Sequence, residues 1–393
     1  MRKTKVIFIL ILFTFDLFGQ NENAIDYSEL TGGLNTITTA VPFLLIAPDS
    51  RAGSMWDVGV ATAPDANSMH WNPAKLAFAL EDIGASVSYV PWLRALVPDI
   101  NLSYLAGYKQ LEKGQTIGLE LRYFSLGDIT FTNIQGDIVG QYNPHEFALG
   151  SAYARKLSEK FSLAISGRYI YSNLTGGQTA NGIPTVAGQS IAADIAAFFD
   201  NNIRISNRDF SFSLGGNISN IGNKISYTET TVRDFIPINL RLGTALETDF
   251  DDYNRMLLAL DINKLLVPTP PIIDDGEIKL GQSSDVGVVS GMFQSFVDAP
   301  GGFKEEMREI NYSIGTEYWY ANQFAIRGGY FFEHATKGGR KYLTFGSGIK
   351  YNVFTLDFSY LVSVNTDAGA TNPLANTMRF SMIFDLGETK LNN

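Results

Sequence analysis

Histidine, cysteine and clustered carboxylates build most catalytic and metal sites, so their positions bear first on chemistry. The chain has three histidines and no cysteine. His70 lies in a turn-rich segment, His145 at the start of a predicted strand and His334 in a predicted loop. No Gly-x-Ser-x-Gly motif occurs in a strand–turn–helix context, so a hydrolase elbow is absent. We therefore expect no catalytic, metal or cofactor site, and we expect that the protein is not an enzyme.

The residues that stand out instead are turn formers, concentrated between positions 48 and 78. Glycine permits tight or left-handed backbone, and Asp and Asn form side-chain-to-backbone turns. A tryptophan directly before Asn-Pro would place an aromatic ring beside a fixed turn. We interpret these residues as structural, folding and seating a plug, and they are Pro48, Asp49, Arg51, Gly53, Asp57, Gly59, Asn67, Trp71, Asn72 and Pro73.

The remainder of the chain shows a two-residue alternation of apolar and polar side chains between Gly84 and Leu386. In residues 161–171, for example, Leu163, Ile165 and Tyr169 share one face, opposite Ser162 and Arg168. The apolar rows are about 9–11 residues long and often end in an aromatic residue, as transmembrane strands do. Soluble sandwiches have shorter rows. The pattern predicts an all-β fold, a transmembrane antiparallel β-barrel of about 14 strands.

The lengths of the connections support this prediction. Candidate strands begin near residues 84, 99, 115, 145, 160, 191, 209, 237, 255, 310, 322, 341, 353 and 377. From the third strand onward, long connections such as 127–144 and 264–309 alternate with short ones such as 156–160 and 321–323. Outer-membrane barrels have short periplasmic turns and long extracellular loops. Both termini are therefore predicted in the periplasm.

Charged residues on the predicted strands fall on the face that does not meet lipid. Two interpretations are open: a lattice of charges that braces strands and plug, or a polar conduit. We favour bracing, because charges of both signs are interspersed with small residues. The predicted lumen-facing charges are Glu120, Arg122, Arg168, Asp194, Arg241, Asp261, Glu317, Arg327, Lys350, Asp357, Arg379 and Asp385.

The N-terminus has the features of a secretory signal peptide. Basic residues at positions 2, 3 and 5 precede a short apolar run, and the small residue Gly19 follows. The predicted organisation is a signal peptide at 1–19, an N-terminal plug or hatch at 20–82, the outer-membrane barrel at 83–386 and a periplasmic tail at 387–393. A net charge of −10 argues against nucleic acid as a partner.

The turn-rich segment also carries a resemblance to a known family. It reads PDSRAGSMWDVGVATAPDANSMHWNPAKLAF and resembles the N-terminal signature of the PorV family, outer-membrane components of the type IX secretion system. That family lies within the wider class of FadL-like barrels. The chain length, predicted strand number and long loop before the tenth strand fit the resemblance. Trp56 stands where the family pattern leads us to expect glycine.

The resemblance implies a role in protein secretion. Members bind the C-terminal signal domains of secreted cargo. The implied partners are an SprA/Sov-like translocon barrel, a PorU-like sortase attachment complex, these cargo domains and outer-membrane lipid. The implied mechanism is recognition by extracellular loops and lateral transfer of cargo from the translocon to the attachment complex.

The loop at 264–309 is the candidate partner-binding loop. Prolines stiffen one limb, and apolar residues follow that form a recognition surface if they are exposed. An alternative is that the loop folds back over the barrel mouth and buries them. The candidate residues are Pro268, Pro270, Met292, Phe293 and Phe296.

A second function remains open at this stage. A FadL-like channel for long-chain fatty acids or other hydrophobic small molecules would share the barrel and the plug. It would require a continuous apolar pocket in the lumen, whereas the predicted lumen rows are mostly polar or small. Fold analogy is the only support for a channel.

Overall fold

The structure, a computed structural model, describes residues 33–94, 97–112, 114–132, 135–180, 183–229, 233–364, 374 and 376–387. Fourteen antiparallel strands form a closed barrel within this part of the chain. Each barrel strand pairs with the next barrel strand along the chain, and the last strand closes the barrel on the first through pairs from Ile83–Leu386 to Tyr89–Phe380. The predicted fold class is confirmed, and each barrel strand begins within three residues of its predicted start.

The barrel strands are β1 Ile83–Pro91, β2 Asn101–Glu112, β3 Gln115–Ser125, β6 His145–Ser158, β7 Phe161–Asn173, β10 Gly188–Ile205, β11 Arg208–Gly222, β12 Asn239–Asp249, β13 Asn254–Leu265, β16 Asn311–Tyr320, β17 Phe324–Phe332, β18 Lys341–Tyr351, β19 Phe354–Ser363 and β20 Met378–Leu386. Three hairpins lie outside the barrel wall, formed by β4 Ile129–Thr132 with β5 Ile138–Tyr142, β8 Thr179–Ala180 with β9 Ile183–Pro184, and β14 Ile272–Asp274 with β15 Glu277–Leu280. All three hairpins lie in long connections.

Helices are short in the described ranges. The α-helices are α1 Ser50–Ser54, α2 Ser68–Trp71, α3 Val288–Gln294 and α4 Phe303–Arg308, and the 3-10 helices are Pro42–Leu45, Pro73–Phe78 and Ala335–Lys337. None of these is both long enough and apolar enough to traverse a bilayer.

The strands alternate as the sequence predicts. In β3, Thr116, Glu120 and Arg122 are buried inside, whereas Leu119 and Tyr123 are exposed on the outside. Long and short connections fall at opposite ends of the barrel, so we refer to a long-loop end and a short-turn end. The short turns are tight: between β16 and β17, Ala321 and Asn322 both adopt positive φ angles of 54°, and the Gln323 amide donates to the Tyr320 carbonyl at 3.0 Å.

Residues 40–79, the interior segment, lie inside the barrel. Phe43 and Leu44 join Leu102, Phe124 and other wall residues in the largest buried apolar cluster. A second cluster combines Met69, Leu76 and nearby segment residues with Tyr104, Tyr108 and Phe198 of the wall. The hydrophobic core is therefore formed between the segment and the inner wall, rather than between two sheets.

The chain enters the described region at the long-loop end. The backbone amide of Asn35 donates to the carbonyl of Thr336 at 2.9 Å, and its side chain donates to the carbonyl of Pro270 at 3.3 Å. The segment then runs through the barrel to β1, which begins at the short-turn end beside the end of β20. The signal-peptide prediction and most of the predicted tail lie outside the described residues, as does the N-terminus itself.

Candidate functional site

Asp49 ties the two ends of the turn-rich motif together. One of its carboxylate oxygens accepts the Ala52 amide at 2.8 Å and caps α1, while the other accepts the Trp71 indole at 2.6 Å. Burial raises the pKa of this carboxyl to about 6, with Asp65 adding to the effect. The Asp49 carboxylate therefore joins the start of α1 to the end of α2.

Two glycines of the motif are required by close approach. A Cβ at Gly59 would lie 2.5 Å from the Trp71 ring, and one at Gly53 would lie 2.7 Å from Cδ of Arg379. These contacts are shorter than van der Waals distance, so any larger residue forces the segment away from its neighbours.

Trp56 and Asp57 form a left-handed turn, with φ angles of 48° and 60°. Such backbone favours glycine, which explains the glycine expected at position 56. The Trp56 ring stacks on Tyr342 with centroids 4.5 Å apart and contacts Phe331 at 5.0 Å. Aromatic packing therefore offsets the cost of the left-handed backbone.

Polar side chains of the wall hold the segment's backbone. Asp261 accepts the amides of Gly59 and Val60 at 2.8 and 3.0 Å. Asn72 donates to the carbonyls of Val60 and Ala197, both at 3.0 Å, and accepts the Ala74 amide at 3.0 Å. The Asn-Pro step of the motif thus bridges the segment to the wall.

Arg51 joins the segment to a buried chain of charges. Its guanidinium contacts Glu317 through two nitrogens at 2.9 and 3.1 Å and Asp65 at 3.2 Å. Glu317 also pairs with Arg327 at 2.5 Å, and Arg327 pairs with Asp357 at 2.6 Å. Across the barrel, a second network joins Arg168 to Glu120 at 2.7 Å and to Asp194 at 3.1 Å.

His70 of α2 lies between two wall arginines. Arg122 approaches its Nδ1 at 2.6 Å and Arg241 its Nε2 at 3.2 Å. Burial and these two cations hold the pKa of His70 well below its usual range, so the imidazole is neutral. The described interior is therefore crossed by charged and polar contacts, in agreement with the bracing interpretation.

The remaining motif residues also lie inside the barrel. Asn67 is buried and accepts the hydroxyl of Ser86 at 2.7 Å. Pro48 and Pro73 are buried, and Pro73 begins a 3-10 helix whose first turn is capped by Asn72. The structure thus brings the predicted motif residues together in one interior assembly. The three histidines do not meet, since His145 stacks between Tyr123 and Tyr171 and His334 caps Ala335–Lys337.

A chamber of about 500 Å³ remains between the interior segment and the loops. Trp56 and Trp71 line it with Arg241, Arg340 and Lys337. Its lining therefore combines aromatic rings with charged groups, unlike the continuous apolar pocket that a channel for hydrophobic molecules requires.

The long loop divides the predicted partner-binding residues into two groups. Pro268 is buried, Pro270 is half-buried, and Met292 packs against the largest apolar cluster. Phe293 is 73% exposed and Phe296 is 45% exposed. One part of the loop therefore folds back on the barrel mouth, while the other part presents apolar side chains outside.

An ion cluster that sequence reasoning missed anchors this loop. Lys264 Nζ lies 2.6 Å from Glu309 and 3.0 Å from Glu306. Lys337 lies 2.6 Å from Glu305 and 3.0 Å from Glu309, so it joins a second loop to the cluster. The alternation of β13 could have indicated this cluster. It places Lys264 on the same outward face as Ile262, where a charged side chain needs a partner.

A family model described as type IX secretion system protein PorV matches residues 30–272. The chain belongs to the PorV family. The match covers the interior segment and the strands up to β13, so the outer-membrane barrel is a component of the type IX secretion system. No curated protein sequence matches the chain significantly.

Solved barrels resemble the chain only distantly. The Pseudomonas putida toluene transporter TodX is 11% identical, with 89% of this chain and 98% of that chain covered and a TM-score of 0.48. The Ralstonia pickettii toluene transporter TbuX is 11% identical, with 86% and 96% covered and a TM-score of 0.45. A Pseudomonas aeruginosa FadL homologue is 10% identical, with 90% and 100% covered and a TM-score of 0.41.

Proposed function

We propose that this PorV-family protein binds the C-terminal signal domain of secreted cargo at its long-loop end, without enzymatic activity. The long-loop end then faces the cell surface. The protein receives cargo at an SprA/Sov-like translocon barrel and delivers it to a PorU-like sortase attachment complex. The observation that carries this proposal is the contrast between a braced interior and an exposed apolar loop.

The apolar loop patch comprises Val289, Phe293, Phe296 and Val297. Three of them, at positions 289, 293 and 297, are spaced four residues apart, and their exposed fractions are 63%, 73% and 70%. Val289 and Phe293 therefore form one apolar side of α3, and Val297 extends that apolar surface three residues beyond the end of the helix. Clustered apolar residues on a solvent-exposed loop are typical of protein-binding sites.

The base of the loop is fixed even though its apolar side is exposed. Glu309 receives Lys264, Lys337 and the Thr269 hydroxyl, the last at 2.6 Å. Asp298 accepts the Thr269 amide at 3.2 Å and the Gln294 side chain at 3.2 Å. A loop held in this way loses little conformational freedom on binding, which favours affinity.

The alternative, a channel for hydrophobic small molecules, is less well supported. Apolar solutes that cross the interior would meet the charged networks of Arg51 and Arg168, where desolvation is costly. The charged lining of the 500 Å³ chamber points the same way.

The test is co-immunoprecipitation of a tagged protein from detergent-solubilised membranes. We expect recovery of a giant translocon barrel and of secreted proteins that share a C-terminal domain. Replacing two patch residues, Phe293→Ser with Val297→Ser, should reduce cargo recovery by about tenfold, as the loss of a binding hot spot does. Ile138→Ser is the matched control, because Ile138 is 68% exposed on another connection of the same end.

Two results would contradict the proposal. One is full cargo recovery with the double variant. The other is a wild-type protein that carries only a bound fatty acid or another small lipid, which would support the channel.

A further inference from the structure

Lys264 occupies a position that a transmembrane barrel normally gives to an apolar residue. Asp261 points inward, since it accepts two amides of the interior segment, so Ile262 and Lys264 point outward by the alternation of β13. Lys264 is nevertheless only 7% exposed. The α4 helix and the residue after it shield the amine with two carboxylates, which places this helix against the outer face of the wall.

The α4 helix has three distinct faces. Glu305 and Glu306 are buried and point to the ion cluster. Phe303 and Met307, four residues apart, are 70% and 40% exposed on a second face. Lys304 and Arg308, also four apart, form a third face next to the apolar one. An apolar face bordered by cations is typical of a helix at the edge of a membrane.

Between this helix and the wall lies a groove of about 250 Å³. Its floor consists of outward residues of β12 and β13, and its sides come from the loop: the apolar residues around it include Leu240, Leu242, Ile262, Phe296, Phe303 and Met307. The polar lining consists of Asn263 and of Lys264 and Glu306, which pair with each other at 3.0 Å. The groove is therefore an apolar site on the outside of the barrel, separate from the chamber inside it.

The groove continues the lipid-facing surface of the barrel. Below Ile262, the outward residues of β13 are Leu260, Leu258 and Met256, exposed by 41%, 49% and 38%. On the neighbouring strand β16, Tyr312 and Ile314 pair with Ile262 and Leu260 and are also exposed. The lipid-facing surface of an outer-membrane barrel thus leads directly into the groove.

We propose that the groove holds one acyl chain of an anionic, phosphorylated lipid of the outer leaflet. The continuous apolar surface supplies contacts for the acyl chain, and Lys304 and Arg308, on the same helix as Phe303 and Met307 of the groove, supply two cations for the phosphate. The assignment to the outer leaflet rests on the proposed orientation of the long-loop end. Lipid at this site would also fix the height of the apolar loop patch above the membrane.

The test uses the full-length protein in nanodiscs of phosphatidylcholine with a minor fraction of lipid A, analysed by native mass spectrometry. The wild type should retain one lipid A molecule. Leu242→Trp fills the groove and should reduce retention by about tenfold, equivalent to about 1.4 kcal/mol of lost binding. Met307→Trp should do the same from the loop side.

Leu258→Trp is the matched control, because Leu258 is equally outward and similarly exposed but lies below the groove. It should retain lipid A as the wild type does. Lys304→Gln with Arg308→Gln should abolish the preference for lipid A over phosphatidylcholine. Unchanged retention in Leu242→Trp and Met307→Trp, or equal loss in Leu258→Trp, would overturn the proposal. Cargo recovery measured on the same variants separates this outcome from failure of the secretion proposal.

Discussion

The interior segment and the long loop are both attached to the barrel by buried ion pairs, but they differ in what they expose. The interior segment contacts wall residues around much of the circumference, among them Ser381, Thr344 and Asp261. The long loop is held at its base by the cluster around Glu309 and exposes Phe293 and Val297. The segment therefore fills and stabilises the barrel, whereas the loop presents apolar side chains at the long-loop end.

Arg51→Ala should weaken the attachment of the interior segment to the barrel wall. It removes the cation that Glu317 and Asp65 share, while Glu317 keeps its pair with Arg327, so we expect a loss toward the lower end of the about 3–5 kcal/mol that removing one partner of a buried ion pair costs. We expect a reduction of that size in the free energy of unfolding of the whole barrel, measured by urea titration in lipid vesicles. Arg204→Ala, which breaks an exposed pair with Asp209, should change it by less than about 1 kcal/mol. Equal effects of the two variants would refute the role of the segment.

Lys264→Met should weaken the attachment of the long loop at its base. It leaves Glu306 without its lysine and weakens the hold on Glu309, which destabilises the loop locally by about 2–3 kcal/mol. We expect faster protease cleavage within residues 281–310 and little change in barrel unfolding. Lys279→Met on the same loop, which breaks a more exposed pair with Glu277, is the control. If the barrel and the loop unfold together in one cooperative step, the loop is not an independently stabilised region.

Two variants of Trp56 separate the effect of ring stacking from that of backbone strain at the interior turn. Trp56→Ala loses the stacking on Tyr342 and keeps the left-handed backbone, which alanine disfavours. Trp56→Gly loses the same stacking but adopts a φ of 48° without strain. We expect the glycine variant to be more stable than the alanine variant by about 1 kcal/mol in the same urea titration. The reverse order would show that backbone strain at this turn is unimportant.

The smallest effect concerns pH. Burial raises the pKa of Asp49 in the folded protein to about 6, above its ordinary value of 3.8, so the folded state takes up a proton first as the pH falls. Asp49 should therefore contribute about 1 kcal/mol more to the free energy of unfolding at pH 5 than at pH 7, and the pH profile of Asp49→Asn should lack this contribution. Equal pH profiles of the wild type and the variant would show that Asp49 does not titrate in this range.

Most of the barrel could be predicted from the sequence, because strand alternation and loop parity repeat across it. Glu120, Arg122 and Asp261 are inward as predicted, and the predicted motif residues meet inside the barrel. The sequence does not predict that the described chain enters the barrel from the long-loop end. The contact that places it there, between Asn35 and Thr336, joins residues 301 positions apart. The same holds for the link between Lys337 and Glu305, two residues on different loops. Periodicity reports which face a residue lies on, but not which distant loop lies against it.

The proposal that the long loop recognises cargo is tested most directly by a binding titration between the purified protein and an isolated C-terminal signal domain of a secreted protein. We predict that Phe293→Ser with Val297→Ser weakens the affinity by at least about tenfold, while Ile138→Ser leaves it unchanged. An affinity that the double variant does not alter would show that the exposed apolar side of the long loop is not the recognition surface.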